Sequence, residues 1–298
     1  MSRRSKQKTA GGARVIPFPV PPALERARGV ARLGFARRGA ATVTAELFQS
    51  GCAKLRLPRQ ESGGRREAIL INTAGGLTDG DRLSTRVRWD KGASAVVTSQ
   101  AAERIYRSRE GPACVETDLI VGPAATALWL PQETILFDGA CLHRRTEVEL
   151  DPSARLLACE GLIFGRAAMG EELRSGSVVD AWRIRFAGRL IFADSFRLSG
   201  DMAERLDRPA IGGGARALAT VIYVGPDAAE RLELLRDPEI EAGAAEVGSS
   251  CRGPLLVTRI LAPSGAAARA ALSAVLTVHM ARLDQRASGQ RLPRVWSC

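Results

Sequence analysis

From Val30 to about Leu198 this chain is a succession of short β-like segments parted by turn residues, with few helical stretches between them. That pattern narrows the fold more than any other feature, because strand side chains alternate between two faces while a helix repeats every 3.6 residues or so. Residues 82–89 show the alternation plainly. Leu83, Val87 and Trp89, with Thr85 in register, fall on one face, and Arg82, Ser84, Arg86 and Arg88 on the other. The other candidate strands are 30–36, 42–48, 67–72, 93–99, 115–121, 126–130, 144–150, 154–159, 178–186 and 189–196. Strands this close together imply an antiparallel or meandering β architecture. One short helix is expected from Ala101 to Ser108.

The character changes after Gly214: Ala217 to Val224 reads as a strand, Asp227 to Arg236 as a helix capped by Asp227, and Leu255 to Leu261 as a strand. A last helix is expected from about Gly265 to Gln285 with Ser264 as its N-cap. Its Leu272, Val275, Leu276, His279 and Leu283 recur at helical spacing and would lay one face on a sheet. The expectation is a mainly β protein: a β body over about 28–200 and an α/β tail over about 213–292 packed on it, together forming one domain from 28 to 298. Residues 1–27 carry basic residues, two adjacent glycines and the run Pro17-Phe18-Pro19-Val20-Pro21-Pro22. Such a segment buries too little surface to fold and is expected to be a disordered extension.

Charge is the next constraint. The net charge of +11 sits in residues 1–66, where 15 Lys and Arg face 3 Asp and Glu, while the remainder holds 28 basic and 29 acidic residues. A basic segment attracts acidic partners or RNA. No aromatic residues interleave as stacking platforms, however, so a solvated tail in an arginine-rich chain (39 Arg, 4 Lys) is the better reading. No apolar stretch reaches the roughly 18 residues of a membrane span, and no secretory leader is evident. The six cysteines, Cys52, Cys114, Cys141, Cys159, Cys251 and Cys298, are scattered without a C-x-x-C and read as reduced thiols of a cytoplasmic protein.

A glycine-rich run, Asn72-Thr73-Ala74-Gly75-Gly76-Leu77-Thr78-Asp79-Gly80-Asp81, joins two of the strands. A phosphate loop needs a helix directly after it to supply N–H groups and the positive dipole end. Here period two follows, so the run is a tight β connection with Asp81 at its exit. The two histidines lack partners for a nucleophilic triad. Cys141 and His143 could form a ligand pair, but the plainer reading is a half-buried thiol beside an exposed ring flanked by Arg144 and Arg145. His279 reads as a core histidine. Carboxylates stand out: Glu133 and Asp138 bracket one apolar run, and Glu160 and Glu171, with Glu172, bracket another. Acids in apolar segments are costly unless paired or hydrated. They read as a general acid/base pair, as the lining of a water-filled passage that handles a cation loosely, or as partners of Arg166 and solvent.

Four blocks of this sequence resemble the urease accessory protein D family (UreD, called UreH in some bacteria). Asn72-Thr73-Ala74-Gly75-Gly76 through Gly80-Asp81 is similar to its N-T-A-G-G-L-x-x-G-D motif, and Thr98-Ser99-Gln100-Ala101-Ala102-Glu103-Arg104-Ile105-Tyr106-Arg107 to its T-x-Q-A-A-x-K-x-Y-R. Leu130 to Ala140 resembles L-P-Q-E-T-I-x-F-x-G-A, and Glu160 to Glu171 resembles E-x-x-x-x-G-R-x-A-x-G-E. Thr78-Asp79 and Arg104 depart from the usual small residues and lysine. Any role needing the compact lysine ammonium does not transfer to position 104. The resemblance implies an elongated two-layer, β-helix-like fold with helices packed on it. It also implies a non-enzymatic factor that binds apo-urease and recruits UreF and, through it, the GTPase UreG, whose hydrolysis supplies the energy for nickel insertion. No nucleic acid, membrane or permanently bound cofactor is implied. Nickel would be in transit through an internal polar passage, for which Asp81, Thr98, Ser99, Glu133, Asp138, Glu160 and Glu171 are the polar members of the matched blocks. Asn72, Thr73, Gly75, Gly76, Gly80, Tyr106, Gly165 and Arg166 would serve structurally. A chain with two histidines offers mainly oxygen ligands, which hold nickel weakly and suit transit over storage. Two alternatives stand beside this: a carboxylate-dependent hydrolase built on the same acidic segments, and a basic RNA-binding module working through residues 1–66.

Overall fold

The computed structural model describes residues 25–59, 65–166, 170–236, 243–283 and 292–296. Apart from 25–27, the expected N-terminal extension lies outside the described residues. The body runs β1 (Arg28–Arg38), β2 (Ala41–Gly51), β3 (Ala53–Arg56), β4 (Arg66–Asn72), β5 (Arg82–Trp89), β6 (Ser94–Ser99), β7 (Glu103–Ile105), β8 (Ala113–Val121), β9 (Thr126–Leu130) and β10 (Thr134–Leu136). It continues through β11 (Ala140–Leu150), β12 (Arg155–Phe164), β13 (Gly176–Phe186), β14 (Arg189–Ser199) and α1 (Met202–Asp207). The tail is β15 (Ala217–Val224), α2 (Ala228–Leu235), β16 (Glu246–Arg252), β17 (Leu255–Ala262), α3 (Gly265–Leu283) and a final 3-10 turn, Arg294–Trp296. No helix among the described residues is long and apolar enough to cross a membrane.

Two sheets face each other, one ordered β14-β13-β11-β8-β5-β1-β2 and the other β16-β17-β15-β12-β9-β6-β4-β3. From β4 to β13 the long strands alternate between them, so each long strand's neighbour in its own sheet is reached only after a pass through the other. Those neighbours run the same way: β5, β8, β11 and β13 pair in parallel, as do β4, β6, β9 and β12. The body is therefore a two-sided β-solenoid, with antiparallel pairs only toward its margins, as in β1·β2, β13·β14 and β12·β15. This corrects the antiparallel or meandering expectation drawn from strand spacing and bears out the mainly β, two-layer, β-helix-like fold that the resemblance implies. Parallel and antiparallel strands share period two, and a crossover made of the opposite sheet's strand leaves no helical signature between segments.

Residues 101–108 are not helical. Glu103–Ile105 is the short strand β7, pairing in parallel with β10, and Leu77 bridges to Ile105. Leu77 N donates to Arg104 O (2.7 Å) and Tyr106 N to Leu77 O (2.7 Å), so tertiary partners take the bonds a helix would make locally. The expected helix at 227–236 forms as α2, but the Asp227 carboxylate makes no cap bond and instead accepts from Tyr223 Oη and Arg231 Nε. Ser264 does cap α3, accepting from Ala267 N at 3.2 Å. The polar edge strand β16 and the short β3 carry too little pattern to be anticipated.

Parallel stacking lines up equivalent positions into rows across the solenoid interior. Leu33–Val87–Leu119–Val148–Ile184 is wholly apolar and buried. Two residues back along each strand, the row is Ala31–Thr85–Thr117–Thr146–Trp182, and two further back it is Gly29–Leu83–Val115–Arg144–Asp180. The interior thus changes from polar to apolar along the strand direction. A second core covers the outer face of the β12-side sheet, where Leu128, Leu157 and Val221 meet Leu272, Val275 and Leu276 of α3. That is the face expected from the helical periodicity of the last helix.

Candidate functional site

The polar rows border a cavity of about 350 Å³ between the two sheets. Thr85, Thr117 and Thr146 line it from one sheet, Ser99 and Glu160 from the other, and Arg144 stands beside them. Asn72, Gly75, Gln100 and Glu103 mark its outer end. There Asn72 Nδ2 donates to both Glu103 oxygens at 3.1 Å. Burial raises the Glu103 carboxyl above the usual range, against the opposing Arg104 N–H, Asn72 and the Arg104 charge.

At the inner end the Arg144 guanidinium is held on three sides. Its Nε and Nη2 reach the Asp180 oxygens (3.0 and 2.5 Å), Nη2 lies 3.1 Å from Glu160 Oε2, and Nη1 donates to Thr134 Oγ1 (3.0 Å). Trp182 Nε1 donates to the same Glu160 oxygen at 2.7 Å. Burial pushes the Glu160 carboxyl well up, Arg144 only partly opposing it. For Arg144, burial works against the charge, but Asp180 and Glu160 outweigh it and raise the guanidinium further. One cation thus serves two acidic groups in a low-dielectric interior, where an isolated charge would be prohibitive.

The seven expected passage residues separate into distinct places. Ser99 and Glu160 face the cavity. Thr98 and Glu133 belong to the opposite, α3-side face: Thr98 Oγ1 accepts from Trp296 Nε1 (3.1 Å) and Glu133 lies 3.3 Å from Arg269. Neighbouring strand residues point to opposite faces, so Thr98 and Ser99 cannot both line one cavity. Asp81 uses both oxygens on backbone, accepting from Ala27 N (2.7 Å) and Thr78 N (2.8 Å), and it fastens the glycine run to the start of β1. Asp138 and Glu171 sit together at one corner of the solenoid. Asp138 N donates to Glu171 Oε1 (3.0 Å), Arg107 pairs with Asp138, and Arg166 pairs with Glu171. Burial raises the Asp138 carboxyl, but bonds from the Ser175 N–H and hydroxyl, with Arg107 and the Arg174 N–H, hold it below the usual range.

That corner gathers the four sequence blocks. Leu77, Ile105 and Leu136 stack as successive coils, joined by the Leu77–Ile105 bridge and the β7–β10 and β10–β12 pairings. Above them Tyr106 meets Phe137 edge-on at 4.9 Å, Arg166 lies 4.2 Å over Phe137, and Tyr106 Oη donates to Gly75 O (3.0 Å). Thr73 ties the run to Cys52 through its N–H and hydroxyl, and Gly80 N donates to Pro112 O. A Cβ on Gly165 would meet Glu171 O at 2.7 Å, and one on Gly76 would stand 2.3 Å from the Tyr106 ring. Gly76→Ala is accordingly expected to displace that ring and cost about 1–3 kcal/mol. A thermal midpoint equal to wild type would show that the ring is free to move.

Arg144, Asp180, Thr117 and Thr146 were not among the sequence candidates. Their signal was present: each is a polar residue in the apolar phase of its strand, as Thr85 is in β5. The histidines take no part. His143 is exposed next to a half-buried Cys141, and His279 is buried against Arg231, which donates to its carbonyl at 2.7 Å. No cluster of three or more His, Cys, Asp or Glu arranged to hold a metal occurs among the described residues.

Comparison with known proteins assigns relatives to this architecture. A family model described as UreD urease accessory protein matches residues 27–297. The chain is 45% identical over 286 residues to a Methylobacterium sp. (strain 4-46) protein named urease accessory protein UreD, covering 94% of this chain and 98% of the relative. Proteins of the same name from Chelativorans sp. (strain BNC1) and Brucella suis (strain ATCC 23445 / NCTC 10510) are 42% and 43% identical, covering 93% and 92% of this chain and 96% and 95% of the relatives.

Proposed function

The chain belongs to the UreD family of urease accessory proteins, and we propose that it works as a non-enzymatic scaffold of urease maturation in the cytoplasm. In this reading it binds apo-urease, recruits UreF and, through UreF, the GTPase UreG, and lets nickel pass through its interior as cargo. The observation that carries the passage is the cavity of about 350 Å³ between the sheets, where Thr85, Thr117 and Thr146 stand among apolar side chains such as Leu83, Val115 and Leu142 and the inner end meets Arg144 and Glu160. Such a wall offers hard oxygen donors without thiolate or imidazole. It would release nickel readily, as transit requires.

The hydrolase alternative has less support, because Glu133, Asp138 and Glu171 are each engaged by arginine away from the cavity that Glu160 borders. The RNA-binding alternative rests on residues 1–66, of which 1–24 and 60–64 lie outside the described residues. The scaffold reading is tested by retention of purified apo-urease and of UreF on the immobilised chain. Both are expected to be held, and a chain that holds neither is no scaffold.

A further inference from the structure

The cavity does not end in solid core. Beyond Arg144 lies a second void of about 10 Å³, where Glu160, Asp180, Asp194, Thr220 and Arg259 stand among Leu162, Phe196 and Leu218, and Glu160 borders both spaces. That void has room for about one water. On its far side Arg259 pairs with Asp194 at 2.6 Å, and these side chains are 40% and 31% exposed. A line of polar groups therefore runs from Glu103 at the outer end, past the threonine row, to the Arg259–Asp194 rim. The Arg144–Asp180–Glu160 cluster is the wall across it.

Resting on the reading of the interior as a nickel path, we propose that Arg144 is the gate of that path. Its guanidinium fills the oxygens that an incoming cation would use and presents a like charge to it. Both effects close the route electrostatically as well as sterically. Opening is an ion exchange: the guanidinium gives up Asp180 and Glu160, the proton that burial favours on Glu160 leaves to water in the cavity, and the dipositive ion takes the freed carboxylate oxygens. Thr134 remains as a hydrogen-bond partner for the displaced guanidinium, and departure of the metal lets Arg144 return. A well-paired buried cation suits this role, since it returns the path to a closed state without a resident metal.

The test uses cells expressing the complete urease operon, with nickel per urease measured after a short nickel pulse. Arg144→Met combined with Asp180→Asn removes one charge of each sign, keeps Glu160 and Trp182, and takes away the guanidinium. Its initial loading rate is expected to rise by about threefold or more, a barrier change of roughly 0.7 kcal/mol. Structural damage would lower the rate, so a rise reports the gate. Thr117→Trp, which places a ring in the middle of the cavity, separates the two ideas. If it loads nickel at the wild-type rate, the interior is not the route and the passage reading fails. If it blocks loading while the double variant loads at or below the wild-type rate, the gate is overturned and the passage stands. Should the double variant fail to co-purify with urease, Arg144→Lys keeps the charge but loses the planar fork. A smaller rise is then expected, because the like charge remains while the two-pronged hold on Asp180 is lost, and a rate at or below wild type overturns the gate.

Discussion

Arg144→Ala is expected to lower the unfolding free energy by about 3–5 kcal/mol, among the largest losses any single substitution in this chain should produce. The reason is what it leaves behind. Asp180 is 3% exposed, and Glu160 shares the same cation, so truncation leaves both acids between the sheets without their counter-charge. Thr134 loses its donor as well. The Asp180→Asn background should recover much of the loss, because an amide needs no counter-charge. The difference between the single and double variants then measures the coupling. Urea denaturation of the four proteins of that cycle gives the numbers. A single-variant loss under about 1 kcal/mol would mean that the pair behaves as an exposed one.

Thr117→Trp should separate function from stability. Thr117 sits between Thr85 and Thr146 in register and is 5% exposed, so a larger side chain there has nowhere to go but the cavity. Overfilling a packed core costs about 1–3 kcal/mol, but here the space already exists, and the cost should lie at the low end. Nickel in urease should nevertheless fall by about tenfold, an effect worth roughly 1.4 kcal/mol on the barrier. Co-purification with urease is expected to persist, since the outer surfaces are untouched. A variant with wild-type nickel would remove the cavity from the delivery route.

Element positions in this protein follow from its sequence because the strands are half-buried and alternate. Residues 82–89 are the clearest case: the arginines face out and Leu83, Thr85, Val87 and Trp89 face in, as the pattern required. Thr85 also held the clue to the site. A hydroxyl in the apolar phase of one strand reads as an accident, yet Thr117, Thr146, Arg144, Glu160 and Asp180 repeat it in other strands. In sequence Arg144 and Arg145 look like one charged flank, yet the two point to opposite faces of β11. Arg145 pairs with Glu147 near the surface, while Arg144 enters the interior.

The motif blocks were legible as motifs, but their grouping as a metal path was not a property of the sequence. Thr98 and Glu133 lie among the matched residues yet face α3 and the final turn, held near Trp296 and Arg269. Residues 101–108 misled for a related reason. Ala101-Ala102-Glu103-Arg104 favours helix locally, but Leu77 and β10 supply backbone partners on both sides of β7 and an extended segment wins.

By itself, then, the sequence determined most of the long strands, the buried face of those that alternate, and the family. These depend on near-neighbour periodicity and on motif chemistry. Tertiary structure alone decided the register of the parallel strands, the stacking of polar positions from four strands of one sheet into adjoining rows, and the closure of their inner end by Arg144. Period two is indifferent to strand direction, and residues 36 positions apart, such as Arg144 and Asp180, become partners only when the register of the stacked coils is set.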